Sequence, residues 1–377
     1  MKGASPFSVV LDPGPRGTGD WCMSCKEMFD VAGHPADCGH PSYAAFRGDH
    51  PTSAVVTRLQ RAGARLVGKT LQSELAMSGT GENPHYRMPA NPLDPALVTG
   101  GSSVGCAVAV ATGAVDVAVA TDSAGSARIP AACCGVLGVA LADQGELLEG
   151  AVRLSPTLDQ LGLLAEHAHH LSRAFSALGL NTEAPAPTSV LVPWDLVTTH
   201  CSPAVQRRFR RVVERLRDDG LVVAAAPSDG FHEVERLQHL HGTLVLAEMA
   251  ASLSGFLERH GHLVSGSIVE RLRPYLTQPA SWRQDLAQLV LAPLRRFREH
   301  GQAPLLLPTL PTTVPRLGAA ANLGSLTKFA NLLGESSIAI PEPGSGFSVT
   351  LVAADPATLL GFARLVTGGP RTGEESP

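Results

Sequence analysis

Apolar and polar positions in this chain follow two periods. In PTSAVVTRLQRAGA, residues 51–64, apolar side chains recur at helical spacing, and ARLVGKT then runs through Lys69 with the density of a strand. The step from helix to strand repeats. Ser103–Gly113 reads as a helix of small residues, VDVAVAT (115–121) as a buried strand, and Pro130 is expected to open the next helix, where its missing N–H costs little. SVLVPW and LVVAAAP predict two further strands around a basic helix from Pro203 to Asp219.

Residues 231–300 change character and read as nearly all helical, with breaks expected at Pro274, Pro279 and Pro293. Strand-like patterns return in PLLLPTLPTTVP, SSIAIP and FSVTLVA, and a helix from Pro356 to Val366 closes the pattern. The tail GGPRTGEESP is expected to fray. Such alternation predicts an α/β fold with a mixed, mostly buried central β-sheet covered by helices on both faces. A single domain over 1–377 is expected, its core formed by about 20–165 and 303–368, with the helical stretch 231–300 on the substrate side.

Composition narrows the function classes. Charged residues are 17% of the chain, hydrophobic residues 44% and the formal net charge is -4, which argues against disorder and against a nucleic-acid footprint. The basic run RRFRRVVERLR (207–217) alternates with apolar positions and so predicts an exposed amphipathic helix. Apolar stretches such as Val104–Val119 are interrupted by Gly113 and Asp116, and none reaches the roughly 18 to 20 unbroken residues of a membrane span. MKGASPFSVVLDPGPRG lacks the apolar segment of a secretory signal, so a cytoplasmic protein without membrane partner is expected. Seven cysteines fit reduced thiols better than a disulfide framework.

The chemistry concentrates in ATDSAGSARIPAACCG, Ala120–Gly135, where small residues surround two serines. So little side-chain volume lets backbone amides approach a ligand closely. Two other stretches complete a set: GGSSVG at Gly100–Gly105, and CKEMFDVAG, which holds Lys26 in a run apolar enough to be an interior strand. A serine hydroxyl is a weak nucleophile and needs a base, which a lysine becomes when burial lowers its pKa. Lys69 is the rival base.

In their order and spacing, CKEMFDVAG, GKT, GENPHY, NPLDP, GGSSVG, ATDSAGSARIPAACCGVLG and SPTLDQLG resemble the amidase signature family, with weaker matches at PLLLPTLPTTVP and KFANLLGESSIAIP. The resemblance implies that family's α/β fold and a catalytic triad of Lys26, Ser102 and Ser126. It implies cleavage of a carboxamide C–N bond in a small-molecule amide through an acyl-enzyme on Ser126, Ser102 relaying the proton to Lys26, with no metal or organic cofactor. It further implies a cis Gly101–Ser102 peptide and oxyanion donors at the amides of Ser123, Ala124, Gly125 and Ser126. Gly100, Gly101, Ser103, Asp122 and Arg128 are expected to support the loops. Met77 and Tyr86 are expected on the acyl-pocket wall.

Departures from the family pattern are Val104 and Ala124 where glycine is usual, Glu27 after the lysine, and GVALADQG at 138–145. GENPHY and KFANLLG resemble arylacetamide hydrolases, whereas Ala124 resembles allophanate hydrolases. Homodimers are common in the family, and no interface signature stands out. Two other readings use the same residues: acyl transfer to an amine, and an inactive amidase-like subunit of a complex. Cys22, Cys25, Cys38 and His40 offer a rival zinc site. Cys106, Cys133 and Cys134 are expected to be buried packing residues, and the histidines at 167–170, His239 and His241 to lie on solvated faces.

Overall fold

Apolar residues dominate the strands, which are buried in the middle of the sheet and partly exposed at its two edges, Phe7–Val10 and Val222–Ala225. The computed structural model describes residues 4–12, 21–142, 144–226, 234–299, 303–319, 321–342 and 345–367. The GGPRTGEESP tail and residues 231–233 lie outside them. The strands are β1 (Phe7–Val10), β2 (Cys22–Lys26), β3 (Arg65–Thr70), β4 (Val117–Asp122), β5 (Leu137–Leu141), β6 (Gln160–Ala165), β7 (Ser189–Val192), β8 (Val222–Ala225), β9 (Leu305–Pro308), β10 (Ser336–Glu342) and β11 (Phe347–Ala353). They form one mixed sheet in the order β1-β3-β2-β4-β6-β5-β10-β11-β9-β7-β8. β2 runs parallel to β3 and β4, β4 and β5 are both antiparallel to β6, and β5 joins β10 antiparallel across the middle.

The helices are α1 (Pro41–Arg47), α2 (Ala54–Arg61), α3 (Val104–Ala111), α4 (Arg128–Cys134), α5 (Ala168–Ala177), α6 (Trp194–His200), α7 (Pro203–Asp218), α8 (Val234–His260), α9 (Gly266–Leu272), α10 (Ala280–Glu299), α11 (Thr327–Leu333) and α12 (Pro356–Thr367). Alternation along β4 divides the core. Val117 and Val119 face the cluster that holds Val55, Val56 and Leu59 of α2 and Leu171 and Phe175 of α5, whereas Ala118 and Ala120 face α3 and α4. The alanines are small because α3 and α4 are buried on nearly every side and lie inside the molecule.

Two expectations need correction. α4 begins at Arg128, two residues before Pro130, because the Asp122 carboxylate accepts the amides of Ala127 (3.1 Å) and Arg128 (3.3 Å) and so caps the helix from outside it. α10 runs through position 293 without a break. α8 is long and apolar enough by length and composition to cross a bilayer. Three of its polar side chains bond to the rest of the fold: Gln238 donates to Ser325 O, His241 meets Ser123 O, and Glu248 accepts from Ser155 and Thr157.

Candidate active site

β2 is flanked by β3 and β4 and buried along its length, so the ammonium of its last residue ends up inside the protein. Lys26 Nζ donates to Ser102 Oγ at 2.7 Å and to Thr121 Oγ1 at 3.0 Å, and the side chain is fully buried. Desolvation lowers its pKa from 10.5 to about 8. A lysine held this way by two hydroxyls loses its proton around pH 8 and can then accept one from Ser102.

Ser102 follows a cis peptide bond from Gly101. Gly101 has no alternative: a Cβ there would lie 2.2 Å from the Ser78 carbonyl oxygen. The Ser102 carbonyl accepts the Ser73 amide at 3.1 Å, and the Ser103 amide donates to Ser126 O at the same distance, which sets the two serine loops in register. Ser103 is fully buried at the start of α3.

The Ser126 loop is braced from behind. Asp122 and Arg128, both fully buried, form a two-pronged pair through Nε–Oδ2 (3.0 Å) and Nη2–Oδ1 (2.7 Å). Burial would raise the Asp122 pKa, but the guanidinium and the amides around the carboxylate hold it at about 2. Arg128 continues to Thr327 O at 2.8 Å and Asn331 Oδ1 at 2.6 Å, so α11 is tied to the loop. Thr327 Oγ1 also donates to Ala124 O at 2.7 Å. Gly125 has φ 116°, and a Cβ on it would sit 2.2 Å from Thr327 Oγ1.

One assignment changes here. The Gly125 amide donates to Asp122 Oδ1 at 2.8 Å, so it points into the support and away from an oxyanion. Ser126 and Ala124 are half-buried. Ser123 Oγ donates to Asp159, and its carbonyl meets His241 Nε2 at 3.0 Å. His241 therefore corrects the expectation of a solvated face: it is buried, while His239, two residues away, is exposed. Desolvation, then the charge of Lys328, push its pKa to about 3, so the ring is neutral.

Lys69 is placed elsewhere. Its Nζ pairs with Glu27 Oε2 at 2.7 Å and donates to His34 O and Pro35 O. The acidic residue after Lys26 thus serves the neighbouring strand. Tyr86 belongs to the same neighbourhood: its hydroxyl donates to Asp37 Oδ2 at 2.7 Å, and it lines a cleft of about 290 Å³ with Glu27, His34 and Asp37. Met77 is half-buried, and its carbonyl accepts from Arg271 at 3.2 Å.

Nor do the rival zinc ligands converge. Cys22 and Cys25, three apart on a strand, face opposite sides of the sheet. Among the described residues, the grouping of metal-ligand size is His40, Glu74 and His85. There His40 Nδ1 accepts the Ser42 amide at 3.2 Å, which leaves its proton on Nε2, facing Leu263 O at 3.2 Å. Neither nitrogen has a lone pair left for a metal. Cys106, Cys133 and Cys134 are buried, as expected.

Residues that sequence reading missed are those that reach the loops from a distance: Thr121, Asp159, His241, Thr327 and Asn331. Thr121 and Asp159 lie inside recognised motifs, ATDS and SPTLDQLG, and could have been singled out as polar residues in buried stretches. His241 has no local signal.

Comparison with known proteins follows the same lines. The family described as Amidase matches residues 22–341. The chain is 27% identical to the chloroplastic Outer envelope protein 64 of Arabidopsis thaliana over 85% of its own length and 60% of that protein's. It is 30% identical to a 2-amino-5-chloromuconic acid deaminase of Comamonas testosteroni, over 85% of this chain and 73% of the deaminase. A solved structure titled Crystal structure of amidase superposes with a TM-score of 0.80 at 27% identity, covering 93% of this chain and 83% of the other.

Proposed function

The chain belongs to the Amidase family, and on that premise we propose that it hydrolyses a carboxamide C–N bond through an acyl-enzyme on Ser126. The observation that carries this reading is the buried Lys26 Nζ, 2.7 Å from Ser102 Oγ. In the attack, Ser126 Oγ forms a bond to the amide carbon while its proton passes to Ser102 and that of Ser102 to neutral Lys26. Collapse of the tetrahedral intermediate breaks the C–N bond, and the proton returns through Ser102 to the departing amine. Water then repeats the sequence on the ester. The oxyanion is met by amides of the Ser123–Ser126 loop other than that of Gly125, a contribution of about 3 kcal/mol per donor.

Val104 and the stretch GVALADQG at 138–145, where the chain departs from the family pattern, favour a second reading, a subunit without turnover. Peptide mapping after treatment with a fluorophosphonate separates the two. Stoichiometric labelling at Ser126 that is lost in Lys26→Ala and kept in Lys69→Ala is the expected result. A folded protein that takes no label at Ser126 would favour the subunit reading.

A further inference from the structure

Among the described residues, two cations close to the serine loops have no carboxylate within ion-pair distance. Lys328 follows Thr327, whose hydroxyl holds Ala124 O. A Cβ built on Gly324 would lie 3.3 Å from that carbonyl oxygen and 3.5 Å from Lys328 Cε, so the lysine stem passes beside the nucleophile loop. Arg271, exposed on α9, donates to Met77 O at 3.2 Å. The next residue, Ser78, is the one whose carbonyl packs against Gly101. Each cation is therefore tied to a segment that touches one of the two serine loops.

Carboxylates around these loops have other partners, the exposed Glu82 accepting from Ser78 and Thr80. Asp122 is held by Arg128, Asp159 by Ser123 and Arg153, Glu248 by Ser155 and Thr157, and Glu74 by His85 and Ser265. Among the described residues, neither Lys328 nor Arg271 has a carboxylate within ion-pair distance. Burial, and then the charge of Arg271, lower the Lys328 pKa. A half-buried lysine beside an arginine is unfavourable until an anion meets it.

We propose that the site selects amides that also carry a carboxylate, with Lys328 as its ion-pair partner and Arg271 at the rim. This rests on the amide-hydrolase reading and names its substrate class. The group that reacts is the amide carbon at Ser126; the carboxylate is bound and unchanged.

Competition against fluorophosphonate labelling of Ser126 tests it. The competitors are succinamate, glutaramate and adipamate, each paired with the neutral amide in which an isopropyl group replaces the carboxylate. In the wild type, at least one carboxylate amide should protect Ser126 at a concentration on the order of 10- to 100-fold lower than its neutral partner, the range for a charge-assisted hydrogen bond. That ratio should shrink to within about threefold in Lys328→Met, persist in Lys328→Arg, and fall with added salt. Equal protection by charged and neutral amides in the wild type overturns the proposal, as does an unchanged ratio in Lys328→Met. Should Lys328→Met not fold, a wild-type ratio that salt leaves unaltered overturns it too. Absence of labelling at Ser126 is a separate failure, that of the hydrolase reading.

Discussion

Replacing Lys26 by methionine keeps most of the side-chain volume and removes the titrating amine. With its pKa lowered from 10.5 to about 8, Lys26 is neutral in the folded protein between those values, while the unfolded chain carries it charged. The unfolded state then binds more protons, so stability rises with pH across that window. Each pH unit is worth about 1.4 kcal/mol, so the full window is worth about 3 kcal/mol, and about 2 kcal/mol of it falls between pH 7.5 and 9.5. Urea denaturation at those two pH values should show the wild type gaining about 2 kcal/mol more than Lys26→Met. The rate of fluorophosphonate labelling should rise about tenfold per unit below pH 8 and level off above it. A pH dependence of stability shared by the wild type and Lys26→Met would refute the buried titration. A labelling rate that is flat from pH 6 to 9 would refute the use of that titration in activating Ser126.

Two further outcomes follow from the buried supports. Arg128→Met leaves Asp122 charged and uncompensated, and should cost about 3–5 kcal/mol in urea denaturation; a loss below about 1 kcal/mol would show that the pair does not brace the loop. His241 is neutral in the fold down to about pH 3 but titrates near 6.5 when unfolded, so the unfolded state binds the extra proton and stability falls as pH drops below 6.5. Between pH 7 and 5 the wild type should lose about 2 kcal/mol more than His241→Phe.

What the sequence revealed about the site depended on locality. Lys26, Ser102 and Ser126 each lie in a short run whose small or apolar neighbours are unusual on their own, and those runs occur in a recognisable order. Lys69, read as the rival base on the strand ending in GKT, is distinguished in the structure by its pairing with Glu27 of the neighbouring chain segment, which no local pattern shows. The Gly125 amide was misassigned because its partner, Asp122, was read only as a neighbour of the loop, and a carboxylate can cap a helix from six residues away. His241 was beyond reach for a different reason. α8 is apolar around most of its circumference, so periodicity does not identify its inner face. The partner of the Tyr86 hydroxyl, Asp37, lies 49 positions away and no spacing rule reveals it. The strands fared better: SSIAIP, FSVTLVA and the LLLP of β9 carry enough β-branched and buried residues to be read directly.

The brace that α11 gives to the Ser126 loop bears on the order in which the protein is made. Thr327 and Asn331 reach Ala124, Asp122 and Arg128 across about 200 positions of chain, and β5 has β10 as its outer neighbour in the sheet. A nascent chain that has emerged only as far as β6 already holds Lys26, Ser102, Ser126 and the Asp122–Arg128 pair, but lacks the contacts that Thr327 and Asn331 make to the loop around Ser126. During synthesis the loop around Ser126 therefore lacks the support of α11 until that helix arrives, and a ribosome-bound fragment ending before residue 327 carries the Asp122–Arg128 pair with one side open.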